Sequence, residues 1–591
     1  MSLSRYFKCE KQNYSEFVKK HAILLSFILC VFFSTFSFMR QESFDPGNLF
    51  IATSVFCVLS TFVAFYIHKR FSLNNVFSTI ICIVLCIASW GWLVGLHKTE
   101  TRAVYLFITC FALILVYYTY LVLTKKATVE NTLLVLFLIG FLLRLTYVLS
   151  TSIYERQHDF YGFYGEQVLS DNNCDGHGGY ISYFFYSNFK LPNFDPTLRD
   201  QFYHPPLHYF ICALWWKAQS LLGIADGYAQ ENIQTLTLFY SSVCMIVTLK
   251  TLDMFKVSGV GKVIAFSVMA FHPTFIIFSG SINNDILSIT FMLSAFYFAL
   301  KWYNSDKLKD ILICGLLIGL GMMTKLSAYM ICIPIAVVFL VRFFKDIKVN
   351  QEESVKKYSI NFGLFLIVCA PIALFWSARN LINYQVPIAY VQRLPDDSWQ
   401  YVGNYSFIER IFMIQPKEYA GYYSVFDQWV SKGDKLYNEF NPMVSLLKTS
   451  LFGEYLNSHS YPAIKGFADV LFWSNLLVVI LSVVALIYML VNAVKYKENL
   501  MFKVALAVLY FSTLIFYYIF CFTHPHHCTM NIRYVSPLIF AGAIVLGIAI
   551  DDLKRINNIK VKKALELTSG ITVAIFAMFS TLTYLLIAGS V

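Results

Sequence analysis

The densest set of groups able to do chemistry lies between two apolar blocks. It reads ERQHDFYGFYGEQ, then DGHGGYISYFF, then LPNFDPTLRDQFYHPPLHYF. Asp159 follows the end of an apolar block by about nine residues, which places it close to a membrane surface. A carboxylate at that depth can orient or deprotonate an acceptor hydroxyl. His158, His177 and His204 are suited to a sugar, a phosphate or a metal. Gly176, Gly178 and Gly179 permit tight turns and close backbone approach, and Pro205 with Pro206 stiffens the start of the segment that follows. Taken singly, an Asp or a His in a polar loop is unremarked; the combination points to a site.

Cations recur at the edges of later apolar blocks, at Lys325, Arg379 and Arg533. Such residues either bind an anion or carry their charge to the interface on an apolar stem. Arg144 lies inside an apolar block, where charge is expensive; it either pairs with a buried acid, approaches a ligand or serves structure. The run THPHHC brings together His524, His526 and His527, but its spacing is poor for a closed zinc site and no CxxC pair accompanies it.

The elements that must position these groups are membrane helices. Of 591 residues 58% are hydrophobic and only 14% charged, and mean hydropathy is +0.59, which excludes an ordinary soluble domain. Apolar blocks of about 20 residues, the length that crosses a bilayer, fall roughly at 21–39, 48–67, 75–96, 103–123, 131–150, 234–252, 262–281, 285–300, 310–324, 327–344, 358–378, 469–493, 504–522, 534–550 and 568–590. An all-α polytopic membrane protein of about 15 transmembrane helices is expected. The N-terminus lacks a small-residue cleavage site, so its first block is expected to be retained.

Lys and Arg cluster in alternate loops, notably at 342–357, 495–503 and 554–563. The positive-inside rule then puts the N-terminus in the cytoplasm and two long segments, 151–233 and 379–468, outside. Residues 205–222 are apolar, but counting them as a span would turn the basic loop 342–357 outward. They are expected to form an interfacial helix, anchored by Tyr209, Phe210, Trp215 and Trp216. The net charge of +11 follows from such loops and implies no nucleic-acid partner. Of the fourteen cysteines most sit in apolar spans as small hydrophobes.

The stretches HDF, GHGGYI, LPNFDP and QFYHPPLHY resemble the first external loop of GT-C membrane glycosyltransferases, most nearly the glycosyltransferase family 39-like bacterial relatives of protein O-mannosyltransferases and aminoarabinose transferases. FHPTFIIFSGSINNDILSI, GLLIGLGMMTKLSAYMICIP and MNIRYVSPLIF resemble that family's second external turn, its Gly-rich helix ending in Thr-Lys, and its late Arg-Tyr-x-x-Pro element. The resemblance spans roughly 131–550. It implies four additional helices in 1–130, a catalytic core in 131–378, an external loop in 379–468 and closing helices in 469–591.

The resemblance further implies that Asp159 is the catalytic acidic residue, and that Asp285 with Asn284 completes the acceptor or metal site. Lys325, Arg533 and Arg379 become candidates for the donor phosphate, with His158, His177, His204 and Tyr534 around the substrate. The implied reaction is transfer of a sugar from a polyprenyl-phosphate donor to an extracytoplasmic glycan, lipid or protein, with inversion. No nucleotide is expected; a divalent cation stays open. A polysaccharide polymerase or ligase of another membrane fold is one rival. A lipid-linked sugar flippase is another, although it predicts charges near mid-membrane rather than at the rim. Usage rich in Lys, Asn, Ile, Phe and Tyr points to the plasma membrane of a low-GC bacterium.

Overall fold

A computed structural model describes residues 99–589 apart from 165–173, 414–423, 426–428, 431–435, 438, 455 and 457–460. The blocks expected at 21–39, 48–67 and 75–96 lie outside the described residues, so the count of fifteen is tested only from the fourth helix onward.

The regular secondary structure of the described residues is helical except for one antiparallel pair of two-residue strands, β1 (Trp429–Val430) and β2 (Leu436–Tyr437). Helices α1 (Thr99–Leu123) and α2 (Val129–Ser150) lead into the first long segment. That segment holds α3 (Gly176–Tyr186), α4 (Leu207–Leu221) and α5 (Asp226–Glu231). The bundle continues with α6 (Gln234–Met254), α7 (Gly259–Phe271), α8 (Pro273–Gly280), α9 (Asp285–Ser305), α10 (Leu308–Thr324), α11 (Cys332–Ile347) and α12 (Gln351–Tyr384). The second long segment carries α13 (Phe407–Phe412) and α14 (Pro442–Phe452). Helices α15 (Lys465–Tyr496), α16 (Leu500–Thr523), α17 (Pro537–Asp552) and α18 (Ile559–Gly589) close the chain.

Ten described helices are long and apolar enough to cross a membrane, and the chain is an integral membrane protein. The blocks at 310–324 and 534–550 also form helices, α10 and α17, of only 17 and 16 residues. The apolar stretch at 205–222 forms α4, but Tyr209 and Trp216, expected as interfacial anchors, are buried against α3, their rings stacked 4.3 Å from Tyr180 and 3.9 Å from Phe185.

Two sequence features find their reasons in packing. The Gly-rich stretch of α10 serves close approach to α12: a Cβ on Gly315 would stand 2.9 Å from the Phe365 ring, and one on Gly319 3.1 Å from the Cys369 carbonyl. Among the described residues Arg144 pairs with no acid. Pro273 has no N–H for the Met269 carbonyl four residues earlier, and the chain breaks between α7 and α8. Arg144 donates to the freed carbonyls of Met269 at 3.1 Å and Ala270 at 2.5 Å, and to Ser241 Oγ at 2.9 Å. It satisfies a helix break in the core.

The two long segments meet. Gln392 donates to Asp200 at 2.8 Å, the Tyr203 and Tyr390 rings lie 5.6 Å apart, and Arg156 donates to the Tyr461 hydroxyl at 3.3 Å. A second small core of Val402, Phe440, Leu446, Tyr517, Cys521, Met530, Ile532 and Val535 seats the later segment on the end of α16.

Candidate active site

Asp285 opens α9 and Lys325 closes α10. Each suits its helix end, because a helix N-terminus favours an anion and a C-terminus a cation. The two ends lie together, and Lys325 Nζ pairs with Asp285 Oδ1. Asn283 donates to the other carboxylate oxygen at 2.9 Å. Asn284 donates to the Thr324 carbonyl at 3.0 Å, fastening the two helix ends to each other, while its Oδ1 is buried with no hydrogen-bond partner among the described residues.

Asp159 reaches this place from the loop after α2. Its φ of 48° lies in the left-handed region, which Asp tolerates better than most side chains. The loop is held by Gln157, which donates to Gly280 O at 2.8 Å and accepts from Ile282 N at 2.9 Å. The GHGG run explains itself here. A Cβ on Gly178 would stand 2.5 Å from the Tyr161 carbonyl, so α3 can press against the strand-like chain after Asp159 only if that position is glycine.

Arg533 arrives from the turn before α17 and pairs with Asp159 through Nη1. Its Nη2 donates to the Tyr534 hydroxyl at 2.9 Å, and its guanidinium lies 4.9 Å from the centre of the Tyr534 ring. Lys325 Nζ lies 5.0 Å from the centre of the same ring. Tyr534 therefore bridges two cation–carboxylate pairs that come from four distant parts of the chain. The Asp159 side chain is 34% exposed and that of Arg533 is 4%, so the pair is accessible on its carboxylate side. Burial pushes the Asp159 carboxyl up, but Arg533 outweighs it and holds the group at about 2.

Glu454 is the residue that sequence reasoning missed. It follows Gly453, which has φ 61°, at the end of α14 and is buried. Its Oε1 accepts from Asn531 Nδ2 at 2.7 Å and lies 3.7 Å from Arg533 Nε. Its Oε2 is 3.3 Å from His158 Nδ1. No motif surrounds it; the only signal was an acid and a glycine directly after an apolar helical stretch within the 379–468 segment.

The histidines divide. His158 is buried between Glu454 and the Phe278 ring, 6.1 Å away, behind Asp159. His177 Nδ1 meets the Tyr209 hydroxyl at 2.9 Å and its ring stacks 6.3 Å from His204. Burial pushes His177 down to about 3 and His204 well below its ordinary value, so both are neutral polar groups beside the carboxylates. His526 and His527 fasten the 395–402 stretch: the His527 amide donates to Gln400 O at 3.0 Å, and His526 Nε2 is 3.3 Å from Pro395 O. Among the described residues no group of three or more His, Cys, Asp or Glu is placed to hold a metal. Arg379 stands apart. It donates to the Pro192 carbonyl and to Asn380, with its guanidinium against the Trp376 and Tyr384 rings.

Residues 204–376 match the family model described as dolichyl-phosphate-mannose-protein mannosyltransferase. Over this stretch the chain is similar to GT-C membrane glycosyltransferases. The GT-C-like stretch contains His204, Asn284, Asp285 and Lys325; Asp159, Glu454 and Arg533 lie outside it. Among solved structures, the chain is similar to the archaeal oligosaccharyltransferase AglB from Archaeoglobus fulgidus, solved in complex with an inhibitory peptide and a dolichol-phosphate. That likeness has 13% identity and a TM-score of 0.44 and covers 77% of this chain. The chain spans 56% of the length of that structure. No curated protein matches.

Proposed function

We propose that this protein transfers a sugar from a polyprenyl-phosphate donor to an extracytoplasmic acceptor, with inversion, at the cluster of Asp159, Asp285, Lys325 and Arg533. The observation that carries the reading is the pair of cations sharing the Tyr534 ring, each facing a carboxylate at the end of a membrane bundle. A departing lipid phosphate gathers negative charge as the glycosidic bond breaks, and fixed cations there stabilise the transition state. Arg533 offers a fork for two phosphate oxygens and Lys325 a point charge.

The resting pairs suggest an order of events. With Arg533 against it, Asp159 is a poor proton acceptor. A donor phosphate that takes Arg533 Nη1 releases the carboxylate and restores its basicity. The freed Asp159 then accepts the proton of the acceptor hydroxyl while that oxygen attacks the anomeric carbon from the side opposite the phosphate. The carbon–oxygen bond to phosphate breaks, and the electron pair leaves with the phosphate. Asp285 holds Lys325 in place, and neutral His177 and His204 line the approach as hydrogen-bonding groups.

Purified protein incubated with radiolabelled polyprenyl-phosphate sugar and a panel of glycan, lipid and peptide acceptors tests the reading. Label should pass to an acceptor by bond cleavage. Movement of intact labelled lipid between leaflets, without cleavage, would instead support the flippase.

A further inference from the structure

Helix α13, residues 407–412, is short, yet both its ends and its orientation are fixed. Its start is closed by a reciprocal cap: Glu409 N donates to Ser406 Oγ at 3.3 Å, and Ser406 N donates to the Glu409 carboxylate at 2.7 Å. Arg410 is buried and donates to Cys521 O at 3.0 Å and to Phe440 O at 3.3 Å, with its guanidinium 4.6 Å from the Phe522 ring centre. The Cys521 carbonyl belongs to the last turn of α16, where a helix leaves its carbonyls without internal partners. Arg410 therefore rivets α13 to the end of a candidate membrane span.

This anchoring turns an apolar arc outward. Phe407, Ile408 and Phe412 are 61%, 68% and 74% exposed among the described residues. At 100° per residue these three and Ile411 share one side of the helix, and Glu409 and Arg410 the other. Along α16 the exposed residues Phe511, Ile515 and Ile519 recur every four positions and form a stripe on its outer face. The Phe407 and Phe522 rings, 4.8 Å apart, carry that stripe from α16 onto α13. The 24 residues of α16 span ~36 Å against a hydrocarbon core of ~30 Å, so its end reaches the edge of the apolar layer.

We propose that α13 is seated in the bilayer at this edge, with Phe407, Ile408 and Phe412 among the lipid glycerol and upper acyl groups. Apolar faces of interfacial helices enter the boundary by ~5–10 Å, and aromatic side chains favour that depth. The capped polar side stays with protein and water. Because the 395–402 stretch just before α13 is hydrogen-bonded to the loop that leads to Arg533, the seated helix ties that loop to the level of the membrane.

The full chain in nanodiscs of phosphatidylethanolamine and phosphatidylglycerol, containing a phospholipid with a diazirine on its acyl chain, is irradiated, digested and mapped by mass spectrometry. Label is expected on the peptide holding 407–413 as well as on that holding 511–519. Label on 511–519 without label on 407–413 overturns the proposal, because the arc is then covered by protein rather than lipid. Absence of label from 511–519 removes the lipid-facing stripe from which the proposal starts and overturns it too.

Discussion

Replacing Asp159 by Asn keeps the side chain's volume while removing both the proton acceptor and the charge opposite Arg533. Transfer should fall by about 10²–10⁴-fold in the labelled-donor assay, with elution from a sizing column unchanged. Lys325→Ala and Arg533→Ala should each raise the donor KM and lower kcat; unchanged kinetics in both would move the phosphate site elsewhere. Glu454→Ala removes the buried partner of Asn531 and the neighbour of Arg533 and His158, so it should impair donor use although it lies behind the exposed carboxylate. His177 supplies a pH dependence. Burial holds its folded value at about 3 against 6.5 for the free side chain, so the unfolded chain binds the extra proton. Its contribution to stability is complete above about pH 6.5 and is lost as pH falls below that. A His177→Gln variant should therefore lose less melting temperature than the wild type between pH 7 and pH 5; equal losses would remove His177 as a source.

At the scale of the element, the break between α7 and α8 depends on one side chain. Arg144→Met fills much of the same space but leaves the Met269 and Ala270 carbonyls buried without donors. Each costs on the order of 1–3 kcal/mol, and the variant should melt at lower temperature in detergent while any donor KM stays near wild type. The contrast between Arg144 and Arg533 shows what periodicity and motif could and could not tell. Both are arginines next to apolar sequence. Arg533 sat in an Arg-Tyr-x-x-Pro element that resembles a known family, and it is found against Asp159. Arg144 carried no such signal, because its partners are backbone carbonyls freed by a proline far along the chain. Glu454 was hidden for the same reason: its partners Asn531, His158 and Arg533 are neighbours only after folding. Helices such as α6, α9 and α16 were legible because each is a predominantly apolar stretch of about twenty residues, a length that crosses a bilayer. The glycines of GHGG were legible as close-approach positions, but the surface they approach, at Tyr161, was not.

The whole bundle has an orientation that charge alone predicts. A reporter fused after residue 350 should read as cytoplasmic and one placed after residue 223 as external; the reverse pattern would invert the bundle and put the cluster of Asp159 and Arg533 on the cytoplasmic side. The match over 204–376 is legible at this scale as a stretch, yet it contributes only part of the cluster. Asp159 comes before it, and Glu454 and Arg533 come after.

That division has a consequence for how the molecule is made. Asp159 and Arg533 lie far apart along the polypeptide, so the pair cannot form until α16 and the turn after it have been made. A chain that stops short of residue 533 can form the Asp285–Lys325 pair within the matched stretch but not the Asp159–Arg533 pair, so under the proposed mechanism it would lack half of the donor site.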